Sequence, residues 1–250
     1  LTLTVRPGEW VLGGWDPGVY VHTAAAIARG GSLQVEAGDV AALPEADRKV
    51  LHCDVGGVWQ PFRGVFLLPD GKLSPQFMHL YPALMAVGYS FYGPSGAQMV
   101  NPLLNVLAIL MMYRLASGLL GGRKCGWAAA LLLAANPAQV WQARFSTAEM
   151  LAQVLLLAGF VEFVRFANKP GGLRSPVLAG LFFGMALLTR YDVILVLVPL
   201  VALMALVCAG REHRASVSAF ALVLAAFGLH VWLHHRYVAP YYHPLPDLVY

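Results

Sequence analysis

The chain has 250 residues, 58% hydrophobic and only 12% charged, with a mean hydropathy of +0.63. A soluble domain carries about 25% charged residues, so the composition excludes an ordinary soluble globular protein and points to the membrane. The net charge of +4 is small and gathered in particular loops, which argues for an orientation signal and against a nucleic-acid surface.

The opening LTLTVRPGEW has neither a basic n-region nor an apolar stretch, so it is not a signal peptide. Together with the aromatic, proline-rich PYYHPLPDLVY at the other end, it leads us to expect a piece of a longer protein preceded by at least one membrane helix. Residues 1–75 mix glycine, proline and charge, with one short helix expected near 17–29 and extended structure at 50–68. Next comes QFMHLYPALMAVGYSFYG, 76–93, whose histidine, tyrosines and proline suit a surface-lying helix as well as a span. Six apolar runs near the ~20 residues a span requires follow at 97–119, 125–142, 148–167, 175–190, 192–210 and 216–234. Cys53, Cys125 and Cys208 are far apart and form no CxxC, so neither a disulfide framework nor a zinc knuckle is supported.

Arg123 and Lys124 follow the first run, Lys169 and Arg174 the third, and Arg211 and Arg214 the fifth. Alternating spans put these three loops on one side, which the positive-inside rule makes cytoplasmic. If 76–93 lies in the interface, residues 1–75 face outward with the loops holding Arg144 and Arg190; we adopt that reading. The expected organisation is then an extracytoplasmic loop with amphipathic interfacial helices (1–96), a helical membrane module (97–235), and the start of another extracytoplasmic segment (236–250).

Asp16, followed by Pro17, suits a helix N-cap, and equally a base held at the water–lipid boundary. Ser146 and Glu149 form the S-x-x-E capping box ahead of an apolar helix. That pattern leaves Arg144 unexplained: it is either a snorkelling anchor or a bidentate phosphate ligand. In LLTRYDVILVL, Arg190 and Asp192 interrupt apolar sequence. Each would cost about 2.5–3.5 kcal/mol at the bilayer centre, so they mark a boundary turn or a polar cavity. Lys72, His79 and Tyr81 lead into the surface helix. His230 and His234 are four apart and could share a metal, but no acid accompanies them at a recognised spacing, and they read better as interfacial anchors. A divalent metal thus has no support from these residues.

These pieces in this order resemble the membrane-embedded glycosyltransferases of the GT-C type, in particular bacterial relatives of the protein O-mannosyltransferases and the lipid A aminoarabinose transferase. WDPGVY matches the family's acidic motif in the first outer loop, although a pair of acids is common there. NPAQVWQARFSTAEM matches its proline-then-arginine segment, and LLTRYDVILVLVP its later arginine-bearing turn. The resemblance implies an all-α polytopic fold with about six transmembrane helices. It also implies transfer of a sugar from a polyprenyl-phosphate-linked donor to a hydroxyl acceptor (protein, lipid or polysaccharide) at the outer face of the plasma membrane. Asp16 would be the base and Arg144 and Arg190, with Lys72, the phosphate ligands; Tyr20, His79, Tyr81, Glu149 and Asp192 are further candidates for contacting substrate. A transporter or flippase for an anionic lipid or solute is the alternative from another class.

Overall fold

The computed structural model describes residues 8, 16–37, 42–44, 46–47, 53–55, 58–60, 64–68, 70–168, 172–207, 210 and 213–238. Lys169, Cys208, Arg211, His243 and the segment 239–250 lie outside these described residues. Two compact units divide the rest: one comprises 101–144 and 148–231, the other runs to residue 100 and adds 145–147 and the residues from 232 on.

The second unit holds the first loop. Its opening helix α1, Asp16–Gly30, buries Val19, Tyr20, Val21 and Ala24 against α2, Leu80–Gln98. Between them lie β1 (Val35–Glu36), β2 (Cys53–Val55), β3 (Val58–Gln60), β4 (Val65–Leu67) and β5 (Lys72–Pro75). Strands β2 and β3 pair as an antiparallel hairpin, and β5 is the centre of a three-stranded antiparallel sheet in the order β1-β5-β4. The β4–β5 turn needs Gly71 at φ +81°, a conformation open to glycine at little cost. Strands β2 to β4 fall in the stretch where extended structure is expected, whereas β1 and β5 are additions.

Helix α2 is two limbs. Tyr92 and Gly93 leave helical geometry, Gly93 at φ +60° and ψ −145°, and Pro94 opens the second limb. There a missing N–H and a fixed φ cost nothing. The limbs fold back so closely that a Cβ added to Gly88 would stand 2.4 Å from the Gly96 carbonyl oxygen. The two limbs of residues 80–98 therefore fold back on each other.

The first unit is helical: α3 (Val100–Leu119), α4 (Arg123–Ala135), α5 (Pro137–Gln142), α6 (Glu149–Asn168), α7 (Arg174–Leu187), a single 3-10 turn at Tyr191–Val193, α8 (Ile194–Val207) and α9 (Arg214–Tyr237). In their described residues the six apolar runs are mainly helical, with one correction. The run 125–142 is broken at Asn136, which is extended (φ −69°, ψ 121°). A proline ring disfavours the α conformation of the residue before it, and the Asn136 side chain then caps α5 by accepting from the Ala138 N–H at 2.9 Å. Helices α3, α6 and α9 are long and apolar enough to cross a membrane; α7 and the segment Tyr191–Met204 are apolar but shorter.

Small residues allow close packing. Gly159 lies under Phe183, Gly180 against Val223 and Gly184 against Phe227, where an added Cβ would come within 2.3 Å of the ring. Large apolar side chains such as Leu132, Leu195 and Leu222 face outward, as lipid contact requires. The Ser74 hydroxyl donates to the Val238 carbonyl at 3.1 Å, and the His79 ring lies 4.9 Å from that of His234. Within this unit the first loop therefore touches the C-terminal end of α9.

Candidate functional site

Arg190 is the centre of the charged site. It leaves α7 with an extended backbone (φ −148°, ψ 128°) and precedes the 3-10 turn, so its side chain and that of Asp192 meet across one tight corner. Nε donates to Asp192 Oδ1 at 3.0 Å and Nη2 to Oδ2 at 2.8 Å, a planar two-pronged match. Nη1 donates to Oε1 of Glu149, at the start of α6 and 41 residues earlier in the chain. Two carboxylates thus take three of the five N–H donors of one guanidinium, and the cluster carries one net negative charge. The side chains are 34%, 37% and 44% exposed for Arg190, Glu149 and Asp192, so none of the three is fully buried. Hydrogen bonds from Arg190 hold the Asp192 carboxyl, in the turn between α7 and α8, below its ordinary value.

Glu149 departs from its expected role. A capping box on Ser146 would make it the third helical residue, but α6 begins at Glu149 itself, and the Ala152 N–H bonds to Ala148 at 3.0 Å. Its charge still suits a helix N-terminus, but its carboxylate accepts from Arg190. Arg144 is exposed, two residues beyond α5, with its backbone N–H bonded to Trp141 at 3.0 Å.

Behind these turns lies an amide cluster that the motifs did not reveal. Gln139 of α5 and Gln153 of α6 exchange hydrogen bonds at 3.0 and 2.9 Å, and Gln139 also donates to Asn105 of α3 at 2.8 Å. Gln139 and Asn105 are both 6% exposed. Gln153 stands one turn after Glu149, so the cluster ties the short helix preceding Arg144 to α6, whose Glu149 accepts from Arg190. A signal was present in NPLLN, whose Asn101 and Asn105 share one helix face. Polar residues inside apolar helices face the bundle interior.

In the other unit, Asp16 is the first residue of α1 and exposed, one position further into the helix than a cap. Tyr20 stacks on Phe77 at 4.5 Å and meets Tyr81 edge-on at 5.0 Å. Tyr20 and Tyr81 are only 4% and 0% exposed, so both are packed inside this unit and not spread on a membrane surface. His79 precedes α2 without capping it. Lys72 Nζ is 3.5 Å from Asp70, in the β4–β5 turn. Among the described residues no group of three or more His, Cys, Asp and Glu could hold a metal ion.

The family of dolichyl-phosphate-mannose-protein mannosyltransferases (PMT_2) matches residues 80–235, more than half of the chain and all of the helical module. No curated protein matches the chain in sequence. Two crystal structures of ArnT from Cupriavidus metallidurans share its fold. The one bound to undecaprenyl phosphate has a TM-score of 0.62 at 15% identity, over 97% of this chain and 40% of that one. The apo state gives 0.61 at 15% identity, over 96% and 41%. The chain therefore spans about two fifths of the length of that protein. A helical membrane fold of this kind, with the family's sequence pattern running from residue 80 to residue 235, makes the chain a member of the dolichyl-phosphate-mannose-protein mannosyltransferase family, multi-pass membrane glycosyltransferases of the GT-C type.

Proposed function

We propose that the protein transfers a sugar from a polyprenyl-phosphate-linked donor to a hydroxyl acceptor at the outer face of the membrane. The observation that carries this reading is Arg190, held in a fixed plane by Glu149 and Asp192 within a family named for a lipid-phosphate sugar donor. Parity supports one shared side. With the shorter helices α4 and α7 taken as crossings beside α3 and α6, two crossings separate the start of α3 from the turn at Arg144, and two more separate that turn from Arg190. We read the first loop, with Asp16, as facing that same outer side. The basic residues Arg114, Arg123, Lys124, Arg165, Arg174 and Arg214 cluster at the other helix ends, which the positive-inside rule makes cytoplasmic.

In the reaction, the acceptor oxygen attacks the anomeric carbon as the bond from that carbon to the phosphate oxygen breaks, inverting the configuration. Asp16 takes the acceptor's proton. The departing polyprenyl phosphate gains negative charge, which cations already oriented stabilise without reorganising. Since Glu149 and Asp192 outnumber Arg190, holding a phosphate there requires a second cation. Arg144 fills that role, with Lys72 a further candidate. Arg144→Ala should weaken binding of a polyprenyl-phosphate sugar to the full-length protein by about tenfold or more, the loss expected for a charge-assisted hydrogen bond of about 1.5–3 kcal/mol. Unchanged affinity would remove Arg144 from the phosphate site.

A further inference from the structure

At the opposite end of the helical unit from Arg190, the last turns of α3 and α6 enclose a cavity of about 340 Å³. That is toward the lower end of the ~300–1,000 Å³ usual for ligand sites. Tyr113, Arg114 and Ser117 line it from α3, and Val161, Val164 and Arg165 from α6. A single snorkelling arginine, or one complementing a helix C-terminus, needs no further account. Two arginines from different helices lining the same partly apolar cavity do.

The surrounding charge favours an anion. From residue 71 to 191 the chain has two acids, Glu149 and Glu162, and Glu149 belongs to the Arg190 cluster. Glu162 is buried and accepts from Arg165 Nη1. Helix α4 opens against the same stretch of α3. A Cβ on Gly126 would stand 2.0 Å from Ser117 Oγ and 2.8 Å from the Tyr113 carbonyl oxygen. Its first turn brings Arg123 and Lys124, and its N-cap, Gly122, makes no side-chain cap hydrogen bond. Such a helix start adds amide donors and a positive dipole end. Among the described residues, Ser117 Oγ is buried without a hydrogen-bond partner.

We propose that this cavity binds the phosphate headgroup of an anionic phospholipid from the leaflet opposite the glycosyl-transfer site. The position argues for a lipid over a soluble anion. The cavity lies near the ends of two 20-residue apolar helices, at the depth where lipid phosphates sit, and valine side chains form part of its wall. Basic pockets between membrane helices on the cytoplasmic side are where such headgroups are bound, at about 1 kcal/mol for each cation.

The test is native mass spectrometry of the full-length protein titrated with phosphatidylglycerol or phosphatidylcholine. Wild type should hold one phosphatidylglycerol in preference to phosphatidylcholine. Arg114→Gln with Arg165→Gln should weaken the phosphatidylglycerol complex roughly 30-fold, at the same worth for each arginine, without changing phosphatidylcholine binding. Since Arg165→Gln strips the buried Glu162 of its partner, Arg114→Gln alone is the safeguard; it should cost about fivefold. Unchanged phosphatidylglycerol affinity in a folded Arg114→Gln protein would overturn the site. Full displacement of the lipid by millimolar inorganic phosphate would overturn the lipid assignment in favour of a soluble anion.

Discussion

The return of α2 on itself gives a prediction with a calculable sign. An alanine at position 88 would place its Cβ 2.4 Å from the Gly96 carbonyl oxygen, against a practical minimum of 3.0 Å. The limbs must separate by at least the 0.6 Å difference, and the obstacle is backbone, which cannot rotate away. Forcing one methyl into a packed contact of this kind costs about 1–3 kcal/mol. Gly228, inside α9, has nothing within 4 Å of an added Cβ. Alanine there should stabilise by about 0.5–1 kcal/mol, since glycine is the poorer helix former. Thermal unfolding of the two variants in one detergent should therefore move in opposite directions from wild type. The melting point should fall by roughly 2–10 °C for Gly88→Ala and rise by a few degrees for Gly228→Ala. A Gly88→Ala protein as stable as wild type would refute the close return at Gly93.

Three further outcomes follow from the polar clusters. Gln139→Leu leaves Asn105 and Gln153 short of a partner and should destabilise by about 1–3 kcal/mol. Gln139→Leu with Gln153→Leu should cost less than the two single changes added together, and strict additivity would deny the exchange of hydrogen bonds. Glu149→Gln keeps an acceptor for Arg190 while removing one negative charge, so stability should change by under about 1 kcal/mol and donor binding should tighten a few-fold. Weaker binding would show that the Glu149 carboxylate itself contacts the sugar. Arg190 lowers the Asp192 carboxyl from its ordinary 3.8. Its contribution is complete above that value and lost as pH falls through the lower, folded one. The stability gap between wild type and Asp192→Asn should thus be constant near neutrality and close only as pH falls below the ordinary 3.8; a gap that closes near neutrality would contradict the pairing.

Helical character was legible because six long apolar runs have few other uses, and their basic loops alternate. The break at Asn136 was also legible in principle, since the residue before a proline resists the α conformation, but continuous hydropathy masked it. Strands β1 and β5, of two and four residues, are too short to show alternation. The Arg190–Glu149 pair spans 41 residues, and nothing local specifies it. The capping-box pattern drew attention to Glu149 for a local reason, and tertiary pairing set its actual role. Tyr20 and Tyr81 show the same ambiguity: a tyrosine near a membrane fits an interfacial belt or a packed core, and only their mutual contact decides.

The central claim is that a lipid-phosphate sugar is consumed with Asp16 as the base. The direct measurement follows radiolabelled sugar leaving a polyprenyl-phosphate donor pool, in full-length wild type and in Asp16→Asn. The account predicts loss of transfer by about a hundredfold or more in a variant that folds and still binds donor. Asp16→Asn turning over donor at the wild-type rate would contradict it.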